Sequence, residues 1–356
     1  MLKIQTMARQ DRNRLIDMFV RLGERLDRFG SDERSQRAME RAVEQNSWFS
    51  PTEIRNAVGA IRSEMLVRSR LGEWLGGYPE LPVDEPADIL VVTAGNIPLV
   101  GFADMVYTLC SGHRCIVKPS GKDSALTEYI IGMLQDEGAA IVADDGSRQP
   151  DALIATGGDN AVRYFRAAYR SLPMLLRGSR SSAAVICGDE PESRLDALAD
   201  DIYMYSGLGC RNVSLLFVPS AYDLSRISDR LAAHPVRHSG YMNNYRQQRA
   251  VRIMSGQPFI DLGHSILTEQ CDFPAAISRI NFCRYDHAGQ VAGWLASHEE
   301  QIQCIAADRS PFDGTSYADT PVARRVTPLG TTQHPSLTDY PDGKDVMEFL
   351  AGIRPA

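Results

Sequence analysis

The octapeptide YSGLGCRN, residues 205–212, sets a thiol behind two glycines and just ahead of an apolar run. Gly207 and Gly209 permit a tight backbone and leave the Cys210 side chain uncrowded. A cysteine that begins a new element can feel exposed backbone N–H groups, which favour thiolate, the nucleophilic form. Equally, a free cysteine is commonly a small buried hydrophobe. This stretch alone leaves both readings open. The other cysteines read as packing. Cys115, Cys187, Cys283 and Cys304 sit inside apolar strand-like runs, and Cys110 ends a helix-like run, whereas Cys271, in EQCDFP, carries no signal. Their spacing is irregular and contains no CxxC pair, which argues against a disulfide framework and against a zinc cage. The expectation is a reduced, cytoplasmic protein without a structural metal.

Three further stretches could carry chemistry. In Thr93-Ala94-Gly95-Asn96-Ile97-Pro98 an apolar run ends in a small-residue turn holding one asparagine. An amide there could donate to an oxyanion at the carboxyl end of a strand. Taken alone, the stretch favours a helix N-cap. Val117-Lys118-Pro119-Ser120-Gly121-Lys122 delivers two lysines into a turn before a helix, which suits phosphate, or is simply a solvated turn. It is not a P-loop, since GxxxxGK[ST] is absent. Thr156-Gly157-Gly158 ends another apolar run and could offer backbone N–H groups to a pyrophosphate, although a lone Gly-Gly is weak evidence.

The elements that would position these residues alternate. Residues 1 to about 75 read as helical. The clearest start is Ser50-Pro51-Thr52-Glu53, a capping box with proline at the first helical position, followed by the stripe Ile54, Val58, Ile61 and Met65. Beyond Pro79, strand-like runs at 88–94, 114–118, AAIVAD, DALIATGG and AAVICG alternate with helical patterns at 99–111, 124–137, 161–169 and 192–205. Further strands are expected at 213–218, 280–285 and 302–306. Short apolar strands alternating with helices predict parallel sheets covered on both faces, an α/β fold. A division near residue 187 is expected, with no linker to mark it.

The chain has 356 residues, 44% hydrophobic and 23% charged, which suits a globular protein of two domains. A net charge of −7 gives no general attraction to nucleic acid or anionic membrane. The N-terminal stretch has no apolar core of a signal peptide, and the run 89–109 is too interrupted by Asn96, Pro98 and Asp104 to be read as a membrane span.

Taken together and in order, Asn-x-Pro, Lys-Pro-Ser, Thr-Gly-Gly, Gly-Ser and Gly-x-Gly-Cys between Asn96 and Cys210 resemble the aldehyde dehydrogenase superfamily. The chain most resembles its acyl-CoA reductase branch, the branch of the fatty-acyl reductase of bacterial luminescence, and the ending HPSLTDYPDGKDVMEFL is also similar. The resemblance covers roughly residues 86–356. It implies an aldehyde-dehydrogenase-like fold: a helical N-terminus and Rossmann-like cofactor domain over 1–186 and 326–356, and a second α/β catalytic domain over 187–325. It also implies a nucleophile at Cys210 and an oxyanion-hole amide at Asn96. Cofactor contacts are implied at Lys118, Ser120, Lys122, Thr156, Gly157, Gly158, Gly178 and Ser179.

The implied reaction is reduction of an acyl thioester, foremost acyl-CoA, to an aldehyde by NAD(P)H through a cysteine acyl-enzyme. Rival readings are a cysteine acyltransferase or thioesterase without hydride transfer, and a non-catalytic acyl-CoA or nucleotide-binding protein. Three departures from the superfamily pattern matter. The glutamate that serves as base for water is replaced by Leu176, with Arg177 next. The acidic residue that grips the ribose 2′-hydroxyl is replaced by Gly121, followed by Lys122, so NADPH is expected at least as readily as NADH. Little room precedes residue 88 for the usual oligomerisation hairpin, which leaves the homo-oligomer of relatives open. The base for Cys210 is unassigned among His238, His264 and His334.

Overall fold

The computed structural model describes residues 2–355, with side chains from residue 12 onward. The chain divides into two compact units, one of residues 1–179, 334–340 and 344–356, the other of 180–333 and 341–343.

The first unit opens with four helices, α1 (Leu2–Leu26), α2 (Glu33–Gln45), α3 (Pro51–Met65) and α4 (Arg68–Gly76). The expected capping box starts α3: Ser50 Oγ accepts from Glu53 N at 3.2 Å, and Glu53 Oε2 accepts from Ser50 N at 3.1 Å. Then come β1 (Asp88–Val92), α5 (Phe102–Cys110), β2 (Arg114–Lys118), α6 (Ser124–Asp136), β3 (Ile141–Ala143), β4 (Ala152–Thr156), α7 (Asp159–Ala168) and β5 (Met174–Arg177). The strands form one parallel sheet in the order β3-β2-β1-β4-β5. Alternate residues of β1 serve opposite faces. Ile89 and Val91 join the large core with α1 to α6, while Leu90 and Val92 join a smaller cluster under Phe165 and Tyr169. A strand covered on both sides has to be apolar throughout, which is why DILVV shows no alternation.

The second unit contains β6 (Ser181–Val185), α8 (Glu192–Tyr203), β7 (Val213–Pro219), α9 (Ser225–Ala233), α10 (Ser239–Ser255), β8 (Ile260–Asp261), β9 (Ile266–Glu269), β10 (Arg279–Tyr285), α11 (Ala288–Ser297), β11 (Ile302–Ala306) and β12 (Val326–Thr327). Its sheet runs β12-β11-β6-β7-β10-β9-β8, parallel except for the short β8. β6 pairs with β7 and β11, so the strand that a division at residue 187 assigns to the first unit lies in the second sheet. Helices α9 to α11 and strands β5, β8, β9 and β12 are additions to the sequence reading.

The chain then returns to the first unit, ending in α12 (Val346–Ala351). Val346, Met347 and Leu350 enter the large core. Polar bonds tie down the same segment: Trp74 Nε1 donates to Tyr340 Oη at 2.7 Å, Tyr78 Oη donates to Asp345 Oδ2 at 2.6 Å, and His113 Nε2 lies 2.9 Å from Leu350 O.

Two expectations are corrected. Cys271 and Cys283 form a disulfide, so Cys283 is paired as well as packed, and Cys271 is its partner. The helix expected from residue 99 begins only at Phe102, because Leu99 is left-handed (φ 55°) and Gly101 passes so close to Thr93 that a Cβ would meet its Cγ2 at 2.2 Å. Among the described residues no helix is long and apolar enough to cross a membrane.

Candidate active site

Cys210 sits in the connection between α8 and β7, at the amino-terminal end of the second sheet. The chain leaves α8 through a 3₁₀ turn in which Tyr205 and Ser206 both have φ 54° and Gly207 has φ 67°. Left-handed backbone costs a non-glycine residue on the order of 1 kcal/mol, so something must hold it. Asn212 does so. Its buried amide donates to the carbonyls of Asp201, Ile202 and Met204 at 3.1, 3.2 and 2.9 Å, and its Oδ1 accepts from Gly209 N at 2.8 Å. Asn212 N closes the turn on Gly209 O at 3.1 Å. From the neighbouring strand, Ser182 Oγ donates to Cys210 O at 2.9 Å and lies 3.2 Å from Cys304 Sγ.

The thiol is pushed up to about 11, by burial first, with Arg211 pulling it down and Cys304 and Asp342 pushing it further up. No helix starts at Cys210, and its own backbone N–H draws the thiol down by less than burial pushes it up.

The three candidate histidines occupy three different settings. His238 caps α10, its Nδ1 accepting from Tyr241 N at 3.4 Å. His264 is buried edge-on to Tyr203, its basicity lowered by burial. His334 belongs to the returning segment of the first unit.

In the first unit, Asn96 is exposed on the loop after β1. The N-cap of α5 is Gly101, so the helix-cap reading of Asn96 falls. That loop is pinned at both ends. Asn46 Nδ2 donates to Gly95 O at 3.0 Å, and Leu99 N donates to Asp123 Oδ2 at 2.8 Å. Asp123 is buried and its carboxyl is pushed up to about 7 by that burial. Gly95 lies against the turn after β2: a Cβ on it would meet Ser120 Oγ at 2.6 Å and Lys122 Cβ at 3.0 Å. Lys118 and Lys122 are exposed at the same edge, and Lys118 Nζ is 3.3 Å from Asp144 Oδ2.

Thr156, Gly157, Gly158, Gly178 and Ser179 also converge. Gly157 N donates to Arg177 O at 3.1 Å, and Ser179 N donates to Asp159 Oδ1 at 3.1 Å. Gly158 is the N-cap of α7, a helix whose start has no side-chain cap, and a Cβ on Gly158 would meet nothing within 4 Å. An open helix start flanked by glycines, with lysines along the same strand ends, fits the phosphates of a dinucleotide.

Sequence reasoning missed Asn46, Asp123, Asp144, Asn212 and the partner of Arg177. Asn212 and Arg177 left a trace, as polar residues beside or within apolar strand runs. A separate cavity of about 480 Å³, lined by Arg252, Phe259, Leu267, Glu269, Phe282 and Arg284 among others, lies towards the carboxyl ends of β9 and β10, away from Cys210 along the sheet.

Residues 24–273 match the family described as acyl-CoA reductase (LuxC). No curated protein matches the chain in sequence. Among solved structures, the indole-3-acetaldehyde dehydrogenase AldA of P. syringae, in complex with NAD+ and IAA, superposes with TM-score 0.65 at 12% identity, over 97% of this chain and 83% of that one. An acetylating aldehyde dehydrogenase from Geobacillus thermoglucosidasius gives 0.59 at 10% identity, over 94% and 86%. The NAD-dependent benzaldehyde dehydrogenase of Corynebacterium glutamicum gives 0.59 at 12% identity, over 92% and 82%. At these identities the likeness is one of fold.

Proposed function

The chain belongs to the acyl-CoA reductase (LuxC) family, and from that premise we propose that it reduces an acyl thioester, foremost acyl-CoA, to the aldehyde through an acyl-enzyme on Cys210. The observation that carries the reading is the built turn around Cys210, held in left-handed backbone by Asn212. Packing alone would not call for such a turn.

Cys210, once deprotonated, attacks the thioester carbonyl. A carbon–sulfur bond forms to Cys210, the bond to CoA breaks, and CoA leaves as thiolate. Splitting the reaction in this way replaces one difficult step by two easier ones. Asn96 is proposed as a side-chain donor to the carbonyl oxygen, a role that rests on the order of motifs and on its exposure at a strand end. Lys118, Ser120, Lys122, Thr156, Gly157, Gly158, Gly178 and Ser179 would hold a nicotinamide dinucleotide by its ribose and phosphates. When bound, that cofactor supplies hydride. Cys210 then departs as thiolate while the aldehyde forms.

The test is a panel of acyl-CoA thioesters with reduced nicotinamide, following cofactor oxidation, CoA release and aldehyde. Wild type should give the three in equal amounts, and Cys210→Ala none. Mass spectrometry without cofactor should find the acyl group on Cys210. CoA release without cofactor oxidation would instead mark a thioesterase or acyltransferase, and an adduct elsewhere would overturn the assignment.

A further inference from the structure

We propose that Asp144 is the carboxylate that receives the 2′-hydroxyl of the cofactor's adenosine ribose, and thereby sets the choice between the unphosphorylated and 2′-phosphorylated forms. The inference rests on the reading of the first unit as the cofactor domain.

The sheet order carries the argument. β1, β2 and β3 step outward in one direction, and β4 then returns to the other side of β1. The topological switch point therefore lies between β1 and β4, where the loop at Gly95 and the open start of α7 meet the carboxyl ends of the strands. In such sheets the pyrophosphate sits at the switch point. A dinucleotide anchored there can extend its adenosine along the strand ends on the β2 and β3 side.

Two charged groups wait at those ends. Lys118 is the last residue of β2, and Asp144 follows the last residue of β3. Asp144 is firmly set. Its backbone N donates to Val117 O at 2.7 Å, its Oδ1 accepts from Gly146 N at 2.9 Å, and Oδ2 faces Lys118 Nζ at 3.3 Å. The Asp144 side chain is 10% exposed and that of Lys118 50%, so the carboxylate is fixed while the ammonium remains open to solvent. Gly121, the position lacking a carboxylate, lies in open space with nothing within 4 Å of a Cβ. The acid absent from the turn after β2 is supplied from the neighbouring strand.

The physical consequence has a definite sign. A carboxylate accepts from a ribose hydroxyl but repels a 2′-phosphate, and a site built to bond a hydroxyl rejects ligands that cannot offer one. Lys118 is partly neutralised by Asp144, which leaves less positive charge for a phosphate than the two lysines in the sequence suggest.

The experiment is equilibrium binding of NADH and NADPH, read by nicotinamide fluorescence, to wild type, Asp144→Asn, Asp144→Ser and Asp144→Glu, each checked for folding by circular dichroism. Removing the carboxylate should weaken NADH and strengthen NADPH, so that the ratio of their Kd values shifts towards NADPH by tenfold or more. Asp144→Glu should restore part of the wild-type ratio. If both affinities fell by the same factor, or neither changed, Asp144 would be only a turn residue and the proposal would fail. Binding of neither cofactor to wild type would overturn the cofactor-domain reading itself, which is a separate outcome.

Discussion

Arg177 Nη1 reaches both carboxylate oxygens of Asp104, each at 2.8 Å, in a pair that is buried on both sides. The pair joins α5 to the end of β5, one residue beyond the Leu176 position. Arg177 Nε and Nη2 have no hydrogen-bond partner among the described residues, so Asp104 supplies most of what stabilises that charge.

Asp104→Ala should therefore destabilise the protein by about 3–5 kcal/mol, the usual cost of stranding one member of a buried ion pair. The double variant Asp104→Leu with Arg177→Leu should recover most of the loss, since apolar replacement of the whole pair removes the uncompensated charge. Denaturant unfolding of the three proteins checks this. Equal losses in single and double variants would show that the pair is not coupled.

Asp123 gives a pH prediction. Its folded carboxyl is pushed up to about 7 from an ordinary 3.8 by burial. Between those values the folded state holds a proton that the unfolded state has lost. Stability contributed by this group thus falls as pH rises from about 4 to about 7, and the full penalty persists above. Asp123→Asn keeps an acceptor for Leu99 N and removes the charge. It should raise stability at pH 8, by on the order of a few kcal/mol, and leave it unchanged near pH 4. Thermal melts across that range provide the measurement, and a constant offset at every pH would contradict the assignment.

The Cys210 thiol, pushed up to about 11, should alkylate slowly in the free enzyme at neutral pH. The iodoacetamide rate attributable to Cys210, taken as wild type minus Cys210→Ala, should climb about tenfold per pH unit with no plateau below pH 9. Asp342→Asn removes a charge that pushes the thiol up, and should speed alkylation at pH 8. Arg211→Gln should slow it. A plateau near pH 7 would mean that the free enzyme already holds a thiolate.

Leu176 bears on water. Hydrolysis of a thioacyl-enzyme needs a general base, typically contributing about 10²–10⁴-fold. With leucine there, aldehyde oxidation should proceed only when CoA is present to accept the acyl group. Aldehyde and oxidised cofactor, incubated with and without CoA and assayed for free acid, test this. Rapid acid formation without CoA would place a base elsewhere.

Much of this architecture is legible in the residues. DILVV, RCIVK and VSLLFV are apolar because their strands are buried on both faces, and Ser50-Pro51-Thr52-Glu53 starts a helix by local chemistry alone. What stays hidden depends on partners distant in sequence. Leu99 turns left-handed where Asp123 takes its N–H, a bond between loops that no periodicity reports. Asp144 lies 26 residues from Lys118, and they meet only because β3 lies beside β2. Cys283 reads as core because it is core, in a cluster with Phe217 and Val291. Its bond to Cys271 becomes visible only with the path between β9 and β10. The glycines before Cys210 reveal a special backbone, but not the surroundings that push its thiol up.

The return of the chain to its first unit has a consequence for synthesis on the ribosome. The seat for Val346, Met347 and Leu350 is formed by helices and strands made early, yet its occupants are made last. At 5–20 residues per second, about ten to thirty seconds separate translation of residue 179 from that of residue 351. Through that interval the nascent first unit carries an unfilled apolar seat, and Trp74, Tyr78 and His113 wait for partners more than 230 residues downstream. The turn around Cys210 instead takes Ser182, Asn212 and Cys304 from within the second unit's own span. Emerging chains should therefore depend on chaperones chiefly for their N-terminal half. A fragment ending near residue 179 would expose in isolation the surface that the intact chain covers only at the end of its translation.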